Sequence, residues 1–364
     1  MKKRFKYPSY LLAALLAVSS VAGCQVYRNI GALPDEARFA HLPYYQNGEF
    51  VNLHGMGQPY YPEKATGEGG WLRHDAYVPQ QKLPMTTLTR ESFGAPESFA
   101  YYWLGHSSAI LELNQQRILI DPVFDNAAPL NWSFVVPRIQ ETPIERTQLP
   151  PIDVVLITHD HYDHLEAKTI RYLADKVNRF IVPLGVGARL QSWGVPAEKI
   201  TELGWGDDVQ QAGIRFIAEP ALHYSARWRN DRNKTLWAAF VLEGAGKRLY
   251  WGGDTGYGKH FAEAQQKYGA FDLAFIEIDA ANPGWPNTHI FPEQAVQAAK
   301  DLNAQRMIPI HWGVFSLGRN PWDQSIKLAH SEALSQNLAL DMPKMGDKYT
   351  PDTHQADNWW ESIQ

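Results

Sequence analysis

The chain has 364 residues, of which 45% are hydrophobic and 20% are charged. This composition supports a large buried core and excludes disorder over most of the length. The formal charge of −5 argues against a general nucleic-acid-binding protein, because such proteins usually carry a basic surface. We therefore expect no nucleic-acid partner.

The first 23 residues are a predicted signal peptide. Lys2, Lys3, Arg4 and Lys6 precede the apolar stretch Tyr10–Val18, which is the order of charge and hydropathy in a secretory signal. The apolar stretch is shorter than the ~20 residues that a membrane-spanning helix needs. Removal of these four positive charges takes the formal charge from −5 to −9, so the mature chain is expected to be distinctly acidic.

Cys24 is the single cysteine and directly follows Val21, Ala22 and Gly23. This order resembles the bacterial lipobox, which implies that Cys24 is lipidated and becomes the new N-terminus. The next residue is Gln25 instead of Asp, which in the same resemblance implies the outer membrane. We therefore expect a lipid-anchored protein of the cell envelope that faces the periplasm. An ordinary cleaved secretory signal, in which Cys24 has no role, is the alternative.

The chain divides by composition after the signal. Residues 24–95 are rich in Pro, Gly, Tyr and polar residues with weak periodicity, which predicts a tether followed by an irregular wrapping segment. Residues 96–364 alternate short apolar runs with amphipathic stretches, which predicts one α/β domain.

The elements of this domain are predicted from apolar runs of strand length and from apolar residues at helical spacing. The predicted strands are Ser108–Leu113, Arg117–Ile120, Asp153–Thr158, Phe180–Pro183, Arg215–Glu219, Trp237–Leu242, Arg248–Trp251, Leu273–Ile278 and Met307–Ile310. The first two are expected to pair through a turn at residues 114–116. The predicted helices are His164–Val177, Lys259–Tyr268, which Gly269 closes, and Pro292–Leu302, which has proline in its first turn.

Residues of the metal-binding type follow four of the predicted strands. Asp121 follows RILI, His159 follows VVLIT, Asp254 follows RLYWGG and His311 follows MIPI. Strand ends in a packed sheet converge on one edge, so these four residues are expected to share one pocket.

Residues 159–164 read His-Asp-His-Tyr-Asp-His and concentrate metal-binding side chains in one short segment. Zinc prefers imidazole and carboxylate ligands and keeps an open position in catalytic sites. On a tight loop after a strand, His159 and His161 can reach one metal. Asp163 and His164, at the start of the next helix, can reach a second.

The motif resembles that of the metallo-β-lactamase superfamily, and the resemblance extends over roughly residues 97–335. Within the superfamily the chain is most similar to N-acylphosphatidylethanolamine-hydrolysing phospholipases D and their bacterial relatives. The matching stretches are GHSSAILEL (105–113), IDPVF (120–124), LPPIDVVLITHDHYDHLE (149–166), NKTLWAAFVL (233–242), GGDTGY (252–257), FDLAFIEI (271–278), THIFPEQAV (288–296) and IPIHWGVFSL (308–317). The resemblance implies an αββα sandwich, in which two face-to-face sheets carry helices outside.

The resemblance also implies two zinc ions per chain and a set of ligands for each. The implied ligands are His159, His161 and His223 for the first zinc, Asp163, His164 and His311 for the second, and Asp254 across both. His223 lies in EPALHYSAR, and glycines on the N-terminal side of Asp254 allow its carboxylate to turn inward.

Three further residues are candidates for supporting roles. Asp121 either hydrogen-bonds a ligating histidine or serves in a structural turn with Pro122. His106 either lies beneath the loop of residues 159–164 (the metal loop) or simply packs. His289 is the candidate for substrate contact or proton donation, because the family has a histidine in the same setting. The family pattern is interrupted over residues 279–287, which bears on the substrate more than on the chemistry.

The implied function is a binuclear zinc hydrolase of phospholipase D type that acts on N-acylphosphatidylethanolamine-like lipids. Two zinc ions lower the pKa of a bridging water and supply hydroxide for attack at phosphorus. Asp163 and Asp254 are expected to serve first as ligands and also to guide the proton. The alternatives are a lactonase or another carbon-centred hydrolase of the same fold, and a non-catalytic envelope binding protein. Manganese or iron can replace zinc at similar ligands.

The 13 tryptophans are predicted to lie mainly in the core. Trp359 and Trp360, near the C-terminus, are the candidates for a lipid-facing position, because tryptophan combines an apolar body with a wet edge.

Overall fold

The structure is a computed structural model that describes residues 23–53, 77–130, 136–282, 285, 288–318, 320–352 and 357–363. The predicted signal peptide, residues 1–23, lies almost entirely outside the described residues. Among the helices described, none is long and apolar enough to cross a bilayer.

The described part of the chain contains both strands and helices in alternation. The strands are β1 (Tyr45–Gln46), β2 (Glu49–Phe50), β3 (Phe99–Gly105), β4 (Ser108–Leu113), β5 (Gln116–Ile120), β6 (Val154–Leu156), β7 (Arg179–Pro183), β8 (Ile200–Leu203), β9 (Asp208–Gln211), β10 (Ile214–Glu219), β11 (Ala239–Gly244), β12 (Lys247–Trp251), β13 (Phe271–Glu277), β14 (Ala304–Ile310), β15 (Ala339–Leu340) and β16 (Lys348–Tyr349). The helices are α1 (residues 23–30), α2 (Ala167–Leu173), α3 (Val186–Ser192), α4 (His260–Tyr268), α5 (Pro292–Asp301) and α6 (Gln324–Ser335).

Two seven-stranded sheets form the body of the domain. The first has the order β16-β3-β4-β5-β6-β7-β8, and the second has the order β15-β14-β13-β12-β11-β10-β9. Each sheet is antiparallel in one part and parallel in the other, since β5 to β8 and β12 to β15 pair in parallel. The parallel strands place their carboxyl ends at a common edge.

The core lies in layers because successive strand residues face opposite sides of a sheet. In β4, Leu111 belongs to the core between the two sheets, whereas Ile110 belongs to the core beneath α2 and α3. In β6, Val154 and Leu156 face the inner core and Val155 faces the helices. Helices α4 to α6 pack on the second sheet. The architecture is therefore the αββα sandwich that the family resemblance implies.

The helix expected over His164–Val177 is shorter than predicted, beginning at Ala167 and ending at Leu173. Residues 161–164 form a tight turn, in which the amides of His164 and Leu165 donate to the His161 carbonyl at 3.1 and 2.8 Å. Successive side chains of a helix point ~100° apart, so a helix here would disperse side chains that the turn gathers. Asp163 and His164 therefore lie on the turn, not on the helix.

The strand predicted over Trp237–Leu242 is β11, which covers Ala239–Gly244. The Ala238 amide donates across to the Thr158 carbonyl at 3.0 Å, and the Trp237 indole donates to the Ala221 carbonyl at 2.9 Å. Because the Ala238 amide bonds outside the ladder, the strand begins after it, two residues later than predicted.

Trp359 and Trp360 are core residues, which contradicts a lipid-facing position for them. They are 4% and 2% exposed. The Trp359 indole donates to the Met342 carbonyl at 2.9 Å and its ring stacks on Trp312. Both indoles are therefore used by the fold.

The segment before the domain packs on it over residues 23–53. Phe39 and Phe50 are buried in the inner core. Asn52 donates to the His223 carbonyl at 3.1 Å and accepts from the His223 amide at 3.2 Å. This segment therefore contacts the edge of the sheets that carries the candidate site.

Candidate metal centre

The carboxyl ends of several strands gather polar side chains at one edge of the sandwich. Parallel pairing aligns Ile120 with Leu156 in the first sheet and Glu277 with Ile310 in the second. The chain segments that leave these ends carry Asp121 after β5, His159 after β6, His223 after β10, Asp254 after β12, Glu277 at the end of β13 and His311 after β14. The structure brings the four residues expected to share one pocket, Asp121, His159, Asp254 and His311, to this edge of the sheets.

The first group of donor atoms consists of His159, His161, His223 and Asp254. The His161 Nδ1 atom lies 2.9 Å from Nε2 of His159 and 3.2 Å from Nε2 of His223. Asp254 Oδ2 is 3.7 Å from each of these Nε2 atoms. A cation with bonds of about 2.0–2.1 Å in tetrahedral geometry has ligand atoms about 3.3 Å apart, so this spacing fits one cation.

The second group consists of His106, Asp163, His164 and His311. Asp163 Oδ2 lies 3.0 Å from His106 Nε2, 3.4 Å from His311 Nε2 and 3.6 Å from His164 Nε2. Asp254 joins this group as well, with Oδ1 3.1 Å from His164 Nε2 and Oδ2 3.1 Å from His311 Nε2. Asp254 thus lies between the two groups.

Several of these atoms are buried and make no hydrogen bond within the described part of the chain. They are His164 Nε2, His311 Nε2 and both carboxylate oxygens of Asp254. The 3.1 Å approaches to Asp254 do not have hydrogen-bonding geometry. Buried polar atoms are rarely left without partners, and cations would satisfy all of them at once. The side chains therefore fit a pair of bound cations.

The histidines of the first group are kept neutral by their surroundings. Burial and the adjacent His164 and His161 hold the pKa of His159 well below its ordinary value. Burial also holds the pKa of His223 well below that value and lowers the pKa of His161. Neutral imidazole is the form that binds a metal, so these residues need not release protons at neutral pH.

Two histidines of the second group, His164 and His311, have the opposite balance of charge. Burial disfavours imidazolium at His164, but the carboxylates of Asp254 and Asp163 raise its pKa well above the ordinary value. Burial likewise opposes charge at His311, yet Asp254 and Asp163 raise its pKa to about 10. These carboxylates require positive charge beside them, which protons or a divalent cation can supply.

Asp121 supports the metal loop from behind. Its Oδ2 lies 2.8 Å from His164 Nδ1 and accepts from the Thr158 hydroxyl at 2.7 Å, and its Oδ1 accepts from the Thr158 amide at 2.8 Å. Because the Asp121 carboxylate contacts Nδ1 of His164, the other ring nitrogen, Nε2, is left to bind a metal. Of the two roles considered for Asp121, this contact favours the orientation of a histidine. His106 lies beneath the loop and contacts Asp163.

Backbone strain accumulates around the centre. His106, Asp121 and His311 have φ values of 55°, 42° and 64°, in the left-handed region that these residues rarely adopt. Gly253 has φ 59°, and a Cβ there would lie 3.0 Å from Cβ of Thr158. Only glycine fits this close approach, which sets Asp254 against the metal loop.

Glu277 is a site residue that the sequence reasoning missed. It is fully buried, and its Oε2 lies 2.7 Å from Nδ1 of His289. Together with Asp254 and His311 these two residues form a third cluster of possible ligand atoms. The available signal was a carboxylate near the end of the apolar run FDLAFIEI, a placement close to that of Asp121 and His311.

Two arginines behind the metal loop were also missed. Arg227 donates through Nη1 to the carbonyls of Asp160 and Leu165 at 2.6 and 2.8 Å. Arg189 pairs with Asp160 at 3.1 Å and Asp231 at 2.7 Å, with its guanidinium fully buried. These contacts hold both ends of the loop in place. Nothing in local sequence distinguishes such arginines from surface ones.

Comparison with known proteins gives this geometry a family. Residues 116–312 match the model of the beta-lactamase superfamily domain, which spans all the strands from β5 to β14. The chain belongs to the metallo-β-lactamase superfamily. The general chemistry of the centre described above is therefore that of a metal-dependent hydrolase.

Relatives in the superfamily match most of the chain. A Mycobacterium tuberculosis protein is 34% identical over 97% of this chain and 95% of its own length. The N-acyl-phosphatidylethanolamine-hydrolyzing phospholipase D 1 of Caenorhabditis elegans is 33% identical over 68% of this chain and 73% of its own. The mitochondrial enzyme of that name from Saccharomyces cerevisiae is 32% identical over 65% of this chain and 52% of its own.

Solved structures share the superfamily fold at low identity. A metallo hydrolase of Ignicoccus hospitalis has a TM-score of 0.53 and 18% identity, over 69% of this chain and 97% of its own. A diiron β-hydroxylase of Streptomyces venezuelae has a TM-score of 0.54 and 16% identity, over 71% of this chain and 55% of its own. These similarities establish the fold of the chain.

Proposed function

We propose that this chain is a binuclear metal-dependent phosphodiesterase of phospholipase D type. The observation that carries the proposal is the pair of donor groups joined at Asp254, whose oxygens lie 3.1 to 3.7 Å from imidazole nitrogens of both groups. A binding protein that had lost catalysis would not need this complete set of buried donors.

The proposal assigns two cations, with zinc as the expected metal. The first would be held by His159, His161 and His223, the second by Asp163, His164 and His311, and both by Asp254. When bound, such a pair supplies Lewis-acid stabilisation of developing negative charge and an activated water. The donor set of imidazoles and carboxylates suits zinc, and also accepts iron or manganese.

The chain's own residues exclude water and fix the ligands. His159, His164 and His311 are each no more than 1% exposed, which strengthens electrostatic interactions inside the site. Asp121 orients His164, and His289 is available for substrate contact at 13% side-chain exposure. These residues provide a dry and rigid setting for a charged substrate.

The substrate class rests on the relatives. The Caenorhabditis elegans and Saccharomyces cerevisiae proteins are named as N-acyl-phosphatidylethanolamine-hydrolyzing phospholipases D. We therefore take N-acylphosphatidylethanolamine-like lipids as the substrate, with phosphatidate and an N-acylethanolamine as products.

A membrane partner suits a lipid substrate. The lipobox-like setting of Cys24 would anchor the mature chain to the outer membrane on its periplasmic side. Cys24 is exposed and begins the segment that contacts the metal loop through Asn29 and Arg227 at 2.8 Å. An anchor at this point would hold the site close to the lipid surface.

The bond that breaks can be tested with ¹⁸O-labelled water. The mature, metal-loaded protein is incubated with N-acylphosphatidylethanolamine and the products are analysed by mass spectrometry. Attack at phosphorus places the label in phosphatidate and leaves the released N-acylethanolamine unlabelled. The variant Asp254→Ala should lose this turnover, whereas His41→Ala, at an exposed position away from the centre, should keep it.

Other outcomes would replace the proposal. Label in a freed fatty acid would mean attack at an acyl carbon and an amidase or esterase. Ready opening of lactones without turnover of any phosphodiester would indicate a lactonase. Binding of lipid without turnover of either class would indicate a non-catalytic envelope protein.

A further inference from the structure

Glu277 is a buried carboxylate that the metal assignment does not use. It ends β13 and is 0% exposed. Its Oε1 accepts from the Thr255 amide at 2.5 Å, and its Oε2 lies 2.7 Å from His289 Nδ1. Its approach to His311 Nδ1 is longer, at 3.7 Å. Both oxygens are therefore engaged, and the shorter histidine contact is the one to His289.

His289 lies at the rim of the metal centre. Its ring centroid is 5.2 Å from that of His223 and 5.1 Å from that of His311. The His289 side chain is 13% exposed, whereas the side chains of His223 and His311 are fully buried. Because Nδ1 contacts a buried carboxylate, the exposed edge of the ring is the one that carries Nε2.

We propose that Glu277 is the positioning residue for His289, holding the ring so that Nε2–H reaches the leaving oxygen of the substrate. This inference rests on the proposed phosphodiesterase function. In the step, the oxygen of water bonds to phosphorus while the bond from phosphorus to the alcohol oxygen breaks. His289 enters the step with a proton on each ring nitrogen. The alcohol oxygen takes the Nε2 proton and leaves as the alcohol, and the proton that the attacking water gives up restores Nε2–H. Nδ1–H remains donated to Glu277 throughout.

The Thr255 contact fixes which atom of the residue 277 side chain must accept a hydrogen bond. The Thr255 amide can only donate, so the atom at the Oε1 position must be an acceptor. In Glu277→Gln the amide oxygen must take that position, and the NH₂ group then faces His289 Nδ1. Two donors cannot share a hydrogen bond, so Nδ1 must lose its proton. The substitution therefore reverses the tautomer of His289 with little change in shape.

The kinetic test compares two leaving groups on the same phosphatidyl unit. N-acylphosphatidylethanolamine needs a proton on its departing alkoxide, whereas phosphatidyl-p-nitrophenol does not. Loss of a general acid typically slows a reaction by about 100-fold or more. Glu277→Gln should slow release of N-acylethanolamine by about 100-fold and release of p-nitrophenolate by less than about threefold. Adding Glu277→Gln to His289→Ala should cause no further loss on either substrate.

Asp279→Asn is the matched control, because Asp279 is a second buried carboxylate two residues away that contacts Ser325 and Asn320 instead of a histidine. It should leave the ratio of the two rates unchanged. Equal losses on both substrates for Glu277→Gln would overturn the proposal, since a merely structural role affects both. A fall in metal content would also overturn it, because Glu277 would then be a ligand.

A spectroscopic readout separates this inference from the proposed function. In ¹⁵N-histidine spectra, neutral His289 should carry its proton on Nδ1 in the wild type and on Nε2 in Glu277→Gln. If the wild type hydrolyses no phosphodiester, the proposed function fails while these spectra still test the positioning. The same tautomer in both proteins would overturn it.

Discussion

At Asp254, a single carboxylate faces imidazoles from both donor groups. Desolvation opposes its charge, but His164 and His311 keep its pKa well below the ordinary value. Its oxygens have no hydrogen-bond partner within the described residues, although they are buried. A carboxylate in this position costs free energy unless cations occupy the site, so Asp254 is the residue on which both proposed metal sites depend.

We expect the mature chain to bind close to two metals, and Asp254→Ala to disturb both sites because it removes the shared ligand. His311→Ala should weaken mainly the second site, since His311 contacts Asp163 and Asp254 but no histidine of the first group. Metal analysis by mass spectrometry after dialysis measures both effects. His41→Ala is the control, and full occupancy in the Asp254 variant would mean that another residue bridges.

At the scale of the element, the metal loop is held by contacts from distant parts of the chain. The turn at residues 161–164 follows β6, and its flanking carbonyls accept from Arg227. The Arg227 guanidinium also lies 3.9 Å over the Tyr162 ring and donates to the Asn29 carbonyl. A loop with so many external donors can keep a conformation that local hydrogen bonds alone would not maintain.

Arg227→Ala should destabilise this loop in the metal-free protein. It leaves the buried carbonyls of Asp160 and Leu165 without their donor, and each unsatisfied group costs about 1–3 kcal/mol. Urea unfolding should show a loss of about 3 kcal/mol, and the Leu165 amide should exchange faster with solvent. Arg229→Ala, at an exposed position nearby, should change stability by less than about 0.5 kcal/mol. Equal effects of the two substitutions would contradict this role for Arg227.

At the scale of the whole molecule, exposed apolar and cationic side chains lie on segments near the site. Tyr27 is 80% exposed, Trp228 is 47% exposed and Leu53 is 46% exposed. The segments that carry them are joined through the bonds of Arg227 to Asn29 and of Asn52 to His223. Arg28, Arg229 and Arg232 are exposed there and form no ion pair with a carboxylate of the described residues. In a chain of net charge −5, this chemistry complements an anionic lipid surface.

Two measurements test the proposed attachment to a membrane. Cys24→Ala should abolish incorporation of a labelled fatty acid, and equal labelling of wild type and variant would rule out lipidation at Cys24. In that unlipidated background, Arg229→Glu with Arg232→Glu should weaken sedimentation with phosphatidylglycerol vesicles by about tenfold or more, since each basic residue near such a surface contributes about 1 kcal/mol. Lys300→Glu with Lys327→Glu, exposed on α5 and α6, is the matched control, and an equal loss there would contradict a specific face.

The sequence by itself determined the features that depend on neighbours along the chain. Apolar runs located β4, β5, β7, β12 and β14 to within a few residues. Gly269 marked the end of α4, and Pro292 marked the start of α5. The ligand spacing at residues 159–164 is local as well, because a tight turn can gather only residues close in sequence. Strand β3 was missed, although it is buried throughout and its residues FAYYWL form an apolar run of the kind that located the other strands.

Only the tertiary structure decided how distant groups are paired. Glu277 and Asp279 are two acids in one short stretch, and the fold alone places the first on His289 and the second on Ser325. Arg227 and Arg229 differ in the same way, one buried under the metal loop and the other exposed. The burial of Trp359 also follows from contacts with remote residues. A hydrogen bond or a buried charge depends on what the packed chain brings within about 3 Å, and residues far apart in sequence meet at that distance only after the sheets have formed.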